Sequence, residues 1–311
     1  MDDPGPPPPP PSLVHQRSKS LSPTPEASDE PRKLFGEGEA VKVCARVRPM
    51  NSMELERDSR LVVQCSRDQR RVTISSDTEG VHTFQFDYVF DQYASQDSVY
   101  AVMAAPLIES ALNGLNTAIL AYGQTGAGKT YTMQGGEDER EGLLPRVMHD
   151  LFERACADED TETNFQIAVS FIELYNERLI DLLAPQPTNR AGGQDEEQAP
   201  KVKIFEDKVR SLYITNAMEV PVSSTAEVMN VYRRGLRNRV VAETGMNAES
   251  SRSHAIFVVT IARRTMSTTR YSQMYLVDLA GSEKVWKTGA EGMRLFEAKY
   301  INKSLLALGQ V

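Results

Sequence analysis

Gly123-Gln-Thr-Gly-Ala-Gly-Lys129-Thr130 is the most informative segment of this 311-residue sequence. It fits the pattern G-x-x-x-x-G-K-[ST], in which glycines let the backbone curl so that successive N–H groups point at phosphate oxygens. Lys129 supplies a positive charge for the β and γ phosphates, and the Thr130 hydroxyl is placed to ligate Mg²⁺. The apolar run 117–122 precedes it, where this motif requires a strand. The pattern therefore predicts a strand, a phosphate-binding loop and a helix.

A second motif, Asp278-Leu-Ala-Gly-Ser-Glu283, follows the apolar run 273–277. A carboxylate at the end of such a strand is placed to hold a water of the Mg²⁺ shell, opposite the phosphate loop. Gly281 follows at a spacing where its N–H can meet the γ-phosphate. The alternative is a strand-end Asp that caps the next turn. The phosphate loop earlier in the chain favours the first interpretation.

A third motif, Asn247-Ala-Glu-Ser-Ser-Arg-Ser-His254, is dense in hydroxyl groups. A serine hydroxyl can complete a Mg²⁺ shell, and Arg252 can pair with a carboxylate. Taken alone, this stretch is better explained as a polar turn into the strand predicted at 255–261. In combination with the other two motifs, it favours a switch that responds to the terminal phosphate of a nucleotide.

The rest of the chain alternates predicted strands with predicted helices. Alternating or apolar runs predict strands at 40–47, 84–90, 117–122, 165–175, 255–261 and 273–277. Helical patterns cover about 96–113, 143–156, 224–237 and the last fifteen or so residues. This alternation predicts an α/β sheet covered by helices on both faces.

The first 38 residues differ in composition from the remainder. They contain the proline run Pro6–Pro11 and the pair Ser22-Pro23, with few large apolar side chains. Such a stretch buries too little apolar surface to offset its ordering entropy, so residues 1–38 are predicted to be a disordered Pro/Ser-rich tail. The globular domain is expected at 39–311, with a polar surface loop at 188–200. The prolines could dock an aromatic groove, although composition favours a solvated tail.

Composition narrows the classes of function. The net charge of −8 argues against nucleic acid as the main partner. Three scattered cysteines with no CxxC pair suit a reducing compartment and predict neither a disulfide framework nor a zinc site. The sequence has no apolar run of membrane-spanning length and does not open like a signal peptide. We therefore expect a cytosolic protein.

The three motifs, in this order, resemble the P-loop, switch I and switch II of the kinesin motor family. Further similar segments are 46–49, 86–90, 142–146, 173–183, 219–224, 287–292 and 301–309. The resemblance covers about residues 39–311, and Lys287-Thr-Gly-Ala-Glu-Gly292 favours the conventional kinesins with an N-terminal motor. It implies the P-loop NTPase fold of kinesin motors, which is an α/β fold with a central, mostly parallel sheet and helices on both faces.

The resemblance also implies roles for individual residues, with ATP and Mg²⁺ as cofactors. Adenine and ribose would be framed by Arg46, Arg48, Pro49 and Tyr131. The phosphates would be held by Gly123, Gln124, Thr125, Gly126, Ala127, Gly128, Lys129 and Thr130. Mg²⁺ would be ligated by Thr130 and Ser251, with Asp278 holding a water of its shell.

The same resemblance implies how hydrolysis and track binding are divided among residues. Ser250 would position the attacking water, and Gly281 would report on the γ-phosphate. Arg252 and Glu283 would form a salt bridge when the two switches close. Acidic tubulin would be faced by Lys284, Lys287, Lys299 and Lys303. Because a basic cluster acts locally, an overall charge of −8 does not exclude this. The implied function is an ATP-hydrolysing motor domain that moves on cytoplasmic microtubules.

An alternative function stays open at this point. The sequence ends at Val311, where motors of this family continue through another microtubule-facing loop, two helices, a last strand and a neck linker. We therefore expect an incomplete domain, and a truncated, non-motile module that binds nucleotide or microtubules is the alternative. A small GTPase would need an Asn-Lys-x-Asp motif, and Asn302-Lys-Ser-Leu305 lacks the Asp. The sequence leaves cargo, direction of movement and oligomeric state undetermined.

Overall fold

The computed structural model describes residues 41–136, 138–157, 163–185, 202–207, 211–246 and 252–283. The tail predicted at 1–38, the loop predicted at 188–200 and the predicted C-terminal helix lie outside these residues. Ser250, Ser251 and the four lysines expected to face tubulin also lie outside them.

Strands and helices alternate along part of the described chain, as the sequence predicts, but at 63–90 and 164–222 several strands follow one another with no described helix between them. The strands are β1 (Cys44–Arg46), β2 (Val63–Cys65), β3 (Arg71–Ser76), β4 (Gly80–Gln85), β5 (Tyr88–Phe90), β6 (Thr117–Ala121), β7 (Asn164–Tyr175), β8 (Arg178–Asp181), β9 (Lys203–Asp207), β10 (Ser211–Thr215), β11 (Val220–Val222), β12 (His254–Arg264) and β13 (Thr269–Asp278). The helices are α1 (Ser52–Glu56), α2 (Gln96–Met103), α3 (Ala105–Leu112), α4 (Lys129–Met133), α5 (Leu143–Cys156) and α6 (Thr225–Met246), with a 3-10 turn at Asp138–Arg140. Among the described residues, no helix is both long and apolar enough to span a membrane.

The largest sheet has the strand order β11-β7-β12-β13-β6, with β8 paired to β7. It is a mixed sheet, and the expectation that it is mostly parallel is wrong for the described strands. Only β13 and β6 run parallel, whereas the other pairs in this sheet are antiparallel. Short turns join β7 to β8 and β12 to β13, and strands joined by a short turn pair antiparallel, which accounts for two of these pairs.

The parallel pairing of β6 with β13 brings the sequence motifs together. Ala121 at the end of β6 is paired in register with Asp278 at the end of β13. On the other side of β13, Asp278 is paired with Ala255 near the start of β12. The segments after β6 and after β13, and the segment before β12, therefore meet at one edge of the sheet. Ligands of open α/β sheets bind outside the carboxyl ends of parallel strands, which is where these segments lie.

One hydrophobic cluster joins the sheet to the helices. Alternate strand residues such as Ile119, Val169 and Met274 point into it, and α2 to α6 all contribute side chains. These five helices therefore pack on one face of the sheet. The sequence predicts a helical cover for the other face as well, and the helix of the last fifteen or so residues lies outside the described part of the chain.

Three aromatic rings mark where α6 packs on the sheet. Phe171 stacks on Tyr232 with ring centroids 5.1 Å apart, and Phe257 meets both rings edge-on at 5.5 and 5.4 Å. Gly235 lies one helical turn after Tyr232, and a Cβ added there would be 2.3 Å from Cδ1 of Phe171. The helix can approach the sheet this closely because Gly235 has no side chain.

We expect Gly235→Ala to lower the free energy of unfolding by about 1–3 kcal/mol, because overpacking a filled core forces side chains off their rotamers. Alanine favours helices by roughly 1 kcal/mol over glycine, so an unhindered site would show the opposite sign. Denaturant unfolding measures the difference. Arg233→Ala, on the exposed side of the same helix, is the control and should change little. A Gly235→Ala variant as stable as the parent would contradict the packing described here.

Candidate functional site

The loop after β6 has the backbone shape that its glycines predict. Gly123, Gly126 and Gly128 have φ angles of 149°, 77° and 98°, which L side chains rarely adopt. A Cβ at Gly126 or Gly128 would meet no atom within 4 Å. The glycines are therefore needed for the backbone conformation, and they leave open space over the loop. Gly128 caps the N-terminus of α4 without a side-chain hydrogen bond. This is the form expected of a cradle for phosphate.

Lys129 and Thr130 are the polar side chains at the start of α4. The Lys129 ammonium donates a hydrogen bond to the carbonyl of Gln124 at 3.0 Å, so it lies across the loop. Burial lowers the pKa of Lys129, although the carboxylates of Asp278 and Glu283 oppose this shift. The Thr130 hydroxyl donates to Oδ2 of Asp278 at 2.6 Å. The structure thus brings together the proposed phosphate cation, the proposed metal ligand and the strand-end carboxylate.

One carboxylate oxygen of Asp278 is available for a partner other than Thr130. This oxygen, Oδ1, is buried and accepts no hydrogen bond from the described part of the chain. A buried carboxylate oxygen without a partner is costly, since an unmade hydrogen bond leaves its desolvation uncompensated. Oxygen donors are the ligands that Mg²⁺ prefers, and Mg²⁺ usually retains several waters. The chemistry of Asp278 and Thr130 therefore fits a hydrated magnesium ion, as the sequence predicts.

The segment after β13 is docked on the phosphate loop. The carboxylate of Glu283 accepts hydrogen bonds from the N–H of Thr125 at 2.9 Å and from its hydroxyl at 2.5 Å. The N–H of Ser282 donates to the carbonyl of Gly123 at 3.1 Å. A Cβ at Gly281 would be 2.4 Å from Oε2 of Glu283 and 2.5 Å from Oγ1 of Thr125, so a side chain there would disturb the contact between these two residues. In this structure Glu283 therefore contacts the phosphate loop. It does not contact Arg252, its expected partner when the two switches close.

The hydrogen bonds from Thr125 also control the charge of Glu283. Burial by itself raises the pKa of this carboxyl. The two hydrogen bonds from Thr125 and the attraction of Lys129 outweigh burial, so the pKa of Glu283 lies below its usual value. Glu283 is therefore ionised at neutral pH and can pair with a cationic side chain.

His254 holds the start of the same segment, a role that sequence analysis missed. Nδ1 of the buried imidazole accepts a hydrogen bond from the N–H of Ala280 at 2.9 Å. Burial lowers the pKa of His254 to about 4, assisted by the charges of Arg239 and Lys129. The ring is therefore neutral at physiological pH, as an acceptor at Nδ1 requires. The available signal was the position of His254 as the last residue of the serine-rich motif and the first of a buried strand.

We expect the pH dependence of stability to reveal His254. Its folded-state pKa lies below the unfolded value of 6.5, so the unfolded state takes up the proton first. The stability that His254 contributes is complete above pH 6.5 and is lost as the pH falls through about 4. The loss should be about 3 kcal/mol, since a pKa difference of one between the folded and unfolded states is worth about 1.4 kcal/mol.

The test compares the parent with His254→Asn, which keeps an acceptor near the Ala280 N–H and does not titrate. Urea unfolding at several pH values should show a difference between parent and variant that depends on pH in this window. Parallel curves would mean that His254 does not titrate as described.

A buried ion pair anchors the chain just before His254. Oε1 of Glu173 accepts hydrogen bonds from Nε of Arg239 at 3.1 Å and from the hydroxyl of Ser253 at 2.5 Å. Arg239 also donates to that hydroxyl at 2.8 Å. The three side chains come from β7, α6 and the turn before β12. They fix the position of Arg252, which precedes Ser253, relative to the sheet.

A cavity of about 530 Å³ extends from the phosphate loop. It is lined by the four residues expected to frame the base and ribose, together with Gly126, Ala127, Gly128 and Lys129. Its volume lies within the range of roughly 300–1,000 Å³ that small-molecule sites occupy. The phosphate loop and the predicted base subsite therefore form one continuous pocket.

Two arginines form one side of this pocket. The guanidinium of Arg46 lies 5.4 Å from the ring centroid of Tyr131. Arg48 donates to the carbonyl of Gly126 at 2.9 Å and makes two hydrogen bonds to Glu54, at 2.6 and 2.8 Å. The side-chain hydrogen bond from Arg48 lowers the pKa of Glu54 to about 2. Glu54 was missed, although the capping box that starts at Asn51 was readable in the sequence.

Comparisons with known proteins show what this chain is similar to. The family model described as "Kinesin motor domain" matches residues 46–311. A "Kinesin heavy chain" of Gibberella moniliformis is 43% identical over 277 residues, which cover 88% of this chain and 28% of the relative. "Kinesin-related protein 3" of Dictyostelium discoideum is 40% identical over 280 residues, covering 88% of this chain and 22% of the relative. This chain thus spans less than a third of these relatives.

A solved structure is also similar. It is described as "Structure of a fast kinesin: Implications for ATPase mechanism and interactions with microtubules". The two chains share 41% sequence identity with a TM-score of 0.77, and the alignment covers 87% of this chain and 73% of the other. The similarity therefore extends over the fold that carries the site.

Proposed function

Because the chain belongs to the kinesin motor-domain family, we propose that it hydrolyses ATP to drive movement along microtubules. The observation that carries the proposal is the convergence of three segments at one edge of the sheet. There the phosphate loop, Asp278 and Glu283 are joined by direct hydrogen bonds. The nucleotide pocket and the segment expected to respond to the γ-phosphate are therefore in contact.

The nucleotide would lie along the pocket from Tyr131 to Thr130. Arg46, Arg48, Pro49 and Tyr131 would enclose the base and ribose, since they line the cavity next to the loop. The N–H groups of 123–130 and the ammonium of Lys129 would hold the phosphates. Thr130 and Ser251 would ligate Mg²⁺, and the free oxygen of Asp278 would hold one of its waters. When bound, the ion neutralises charge that develops on the phosphate oxygens.

Hydrolysis would depend on rearrangement of the two switches. Ser250 would position the attacking water, and the N–H of Gly281 would bind the γ-phosphate. For Glu283 to pair with Arg252, its hydrogen bonds to Thr125 must first break. Exchanging one set of partners for the other would couple the phosphate loop to the switches. The proposed site would therefore reach its closed form only when the terminal phosphate is present.

The proposed partner is the microtubule, and the proposed location is the cytoplasmic microtubule cytoskeleton. Support comes from family membership and from the four lysines that the resemblance assigns to tubulin. The net charge of −8 remains the argument against nucleic acid.

Two binding measurements test the proposal. Titration calorimetry should show that the chain binds ADP and ATP in the presence of Mg²⁺. Co-sedimentation with microtubules should be stronger with a non-hydrolysable ATP analogue than with ADP, because the switches close on the γ-phosphate. A chain that binds nucleotide but sediments equally in both states would favour the non-motile module. Failure to bind either nucleotide would refute the proposal.

A further inference from the structure

Gln96 is a buried polar side chain that the predicted site does not include. It is 3% exposed, at the first position of α2. Its stripe of buried residues continues with Val99 and Val102, so an amide occupies a position where the helix pattern calls for an apolar side chain. A buried amide is retained where its hydrogen bonds are made, because an unpaired one is costly.

The amide of Gln96 joins two residues of the pocket wall, Arg46 and Tyr131, to a third segment at Arg140. Oε1 accepts a hydrogen bond from Nη1 of Arg46 at 2.9 Å. Nε2 donates to the carbonyl of Tyr131 at 2.8 Å and to the carbonyl of Arg140 at 3.2 Å. The Tyr131 carbonyl lies near the C-terminal end of the five-residue helix α4, where carbonyls need partners from outside the helix. Gln96 thus holds one wall residue by its side chain and another by its backbone.

Arg46 needs such support because neutral groups hold it. Its guanidinium donates to Gln96 and to the hydroxyl of Thr132, both at 2.9 Å, and it lies beside the Tyr131 ring. Burial lowers the pKa of Arg46, and in the described part of the chain no carboxylate forms an ion pair with it. Its charge therefore remains available to the pocket, and its orientation depends on neutral acceptors.

We propose that Gln96 is the positioning residue of the base subsite, because its one amide fixes both Arg46 and Tyr131 before a nucleotide binds. Immobilising a flexible arginine in advance removes an entropic cost from binding. A glutamate would neutralise Arg46 and could not donate to the two carbonyls. A leucine would keep the volume and lose all three contacts. The proposal rests on the proposed function, since it assumes that the pocket binds a nucleotide.

The position of Gln96 predicts an effect confined to the base end of the ligand. None of its hydrogen bonds involves Gly123–Gly128 or Lys129. Gln96→Leu should therefore weaken ADP binding about tenfold, as expected when a binding wall loses its preorganisation. Affinity for inorganic pyrophosphate, which lacks the base, should change less than twofold. Gln64→Leu is the matched control, because Gln64 is exposed on β2 and should leave both affinities unchanged.

A double-mutant cycle tests whether Gln96 acts through Arg46. In an Arg46→Ala background, Gln96→Leu should weaken ADP binding by less than about threefold, because residues in contact act non-additively. Equal factors in both backgrounds would overturn the proposal, as would an equal loss of ADP and pyrophosphate binding. If Gln96→Leu does not fold, Gln96→Glu has the same size and carries the same expectation. A parent chain that binds neither ligand would instead refute the proposed function.

Discussion

Replacing Lys129 with alanine should weaken ATP and ADP binding by at least about a hundredfold, which is the scale of a charge-assisted contact in a partly buried site. The ammonium is already held across the phosphate loop by the carbonyl of Gln124 at 3.0 Å. Burial lowers the pKa of Lys129, because the ammonium is poorly solvated. A bound phosphate would compensate this loss of hydration with an opposite charge. Little reorganisation is needed when the nucleotide binds.

A fluorescent nucleotide analogue measures this loss directly. Lys203→Ala removes a lysine from an exposed position in β9 and is the control for loss of charge alone. Its nucleotide affinity should equal that of the parent. If folded Lys129→Ala binds as tightly as the parent, the glycine loop does not bind phosphate.

Replacing Glu283 with alanine should suppress ATP hydrolysis by about a hundredfold to a thousandfold while leaving ATP binding largely intact. The carboxylate is ionised and docked on Thr125 in this structure. We expect Glu283 to pair with Arg252 only when the two switches close. The loss should therefore fall on the hydrolysis step and not on ATP binding. ATP binding should not weaken, because removing the carboxylate frees the Thr125 N–H for phosphate.

Glu283→Gln separates the two contacts of this side chain. A glutamine can still accept a hydrogen bond from the Thr125 N–H, but it carries no charge for Arg252. We expect both variants to hydrolyse slowly in single-turnover assays. Normal hydrolysis in Glu283→Ala would refute the proposed pair. Normal hydrolysis in Glu283→Gln alone would show that the contact with Thr125, and not the charge, is what matters.

The phosphate loop was predictable because its conformation and charge depend on consecutive residues. Glycines with positive φ, the lysine after them and the strand before them are local features, and the structure has them at 117–130. The expected helix at 96–113 is divided at Ala104, which is the N-cap of a second helix with Pro106 in its first turn. The helix expected at 224–237 continues to Met246, since Gly235 is accommodated by close packing and does not end it.

Features that depend on distant pairing were not predictable. The mixed sheet follows from which strands become neighbours, and periodicity gives no information on that choice. Glu283 and Thr125 are 158 positions apart, and their contact depends on the register of β6 against β13. Gln96 and His254 are single polar residues among buried neighbours, so their partners became clear only in three dimensions.

Steady-state ATP turnover by this chain, with and without microtubules, decides whether the proposed site is an ATPase that responds to the track. We predict turnover that microtubules accelerate and that Glu283→Ala reduces by about a hundredfold or more, because the switch segments beside the nucleotide pocket are expected to respond to the track as well. Phosphate release measured by a coupled assay, with Gln64→Leu as the unaffected control, gives the comparison. A folded chain that binds ATP but hydrolyses it at the same low rate with and without microtubules would contradict the proposed function.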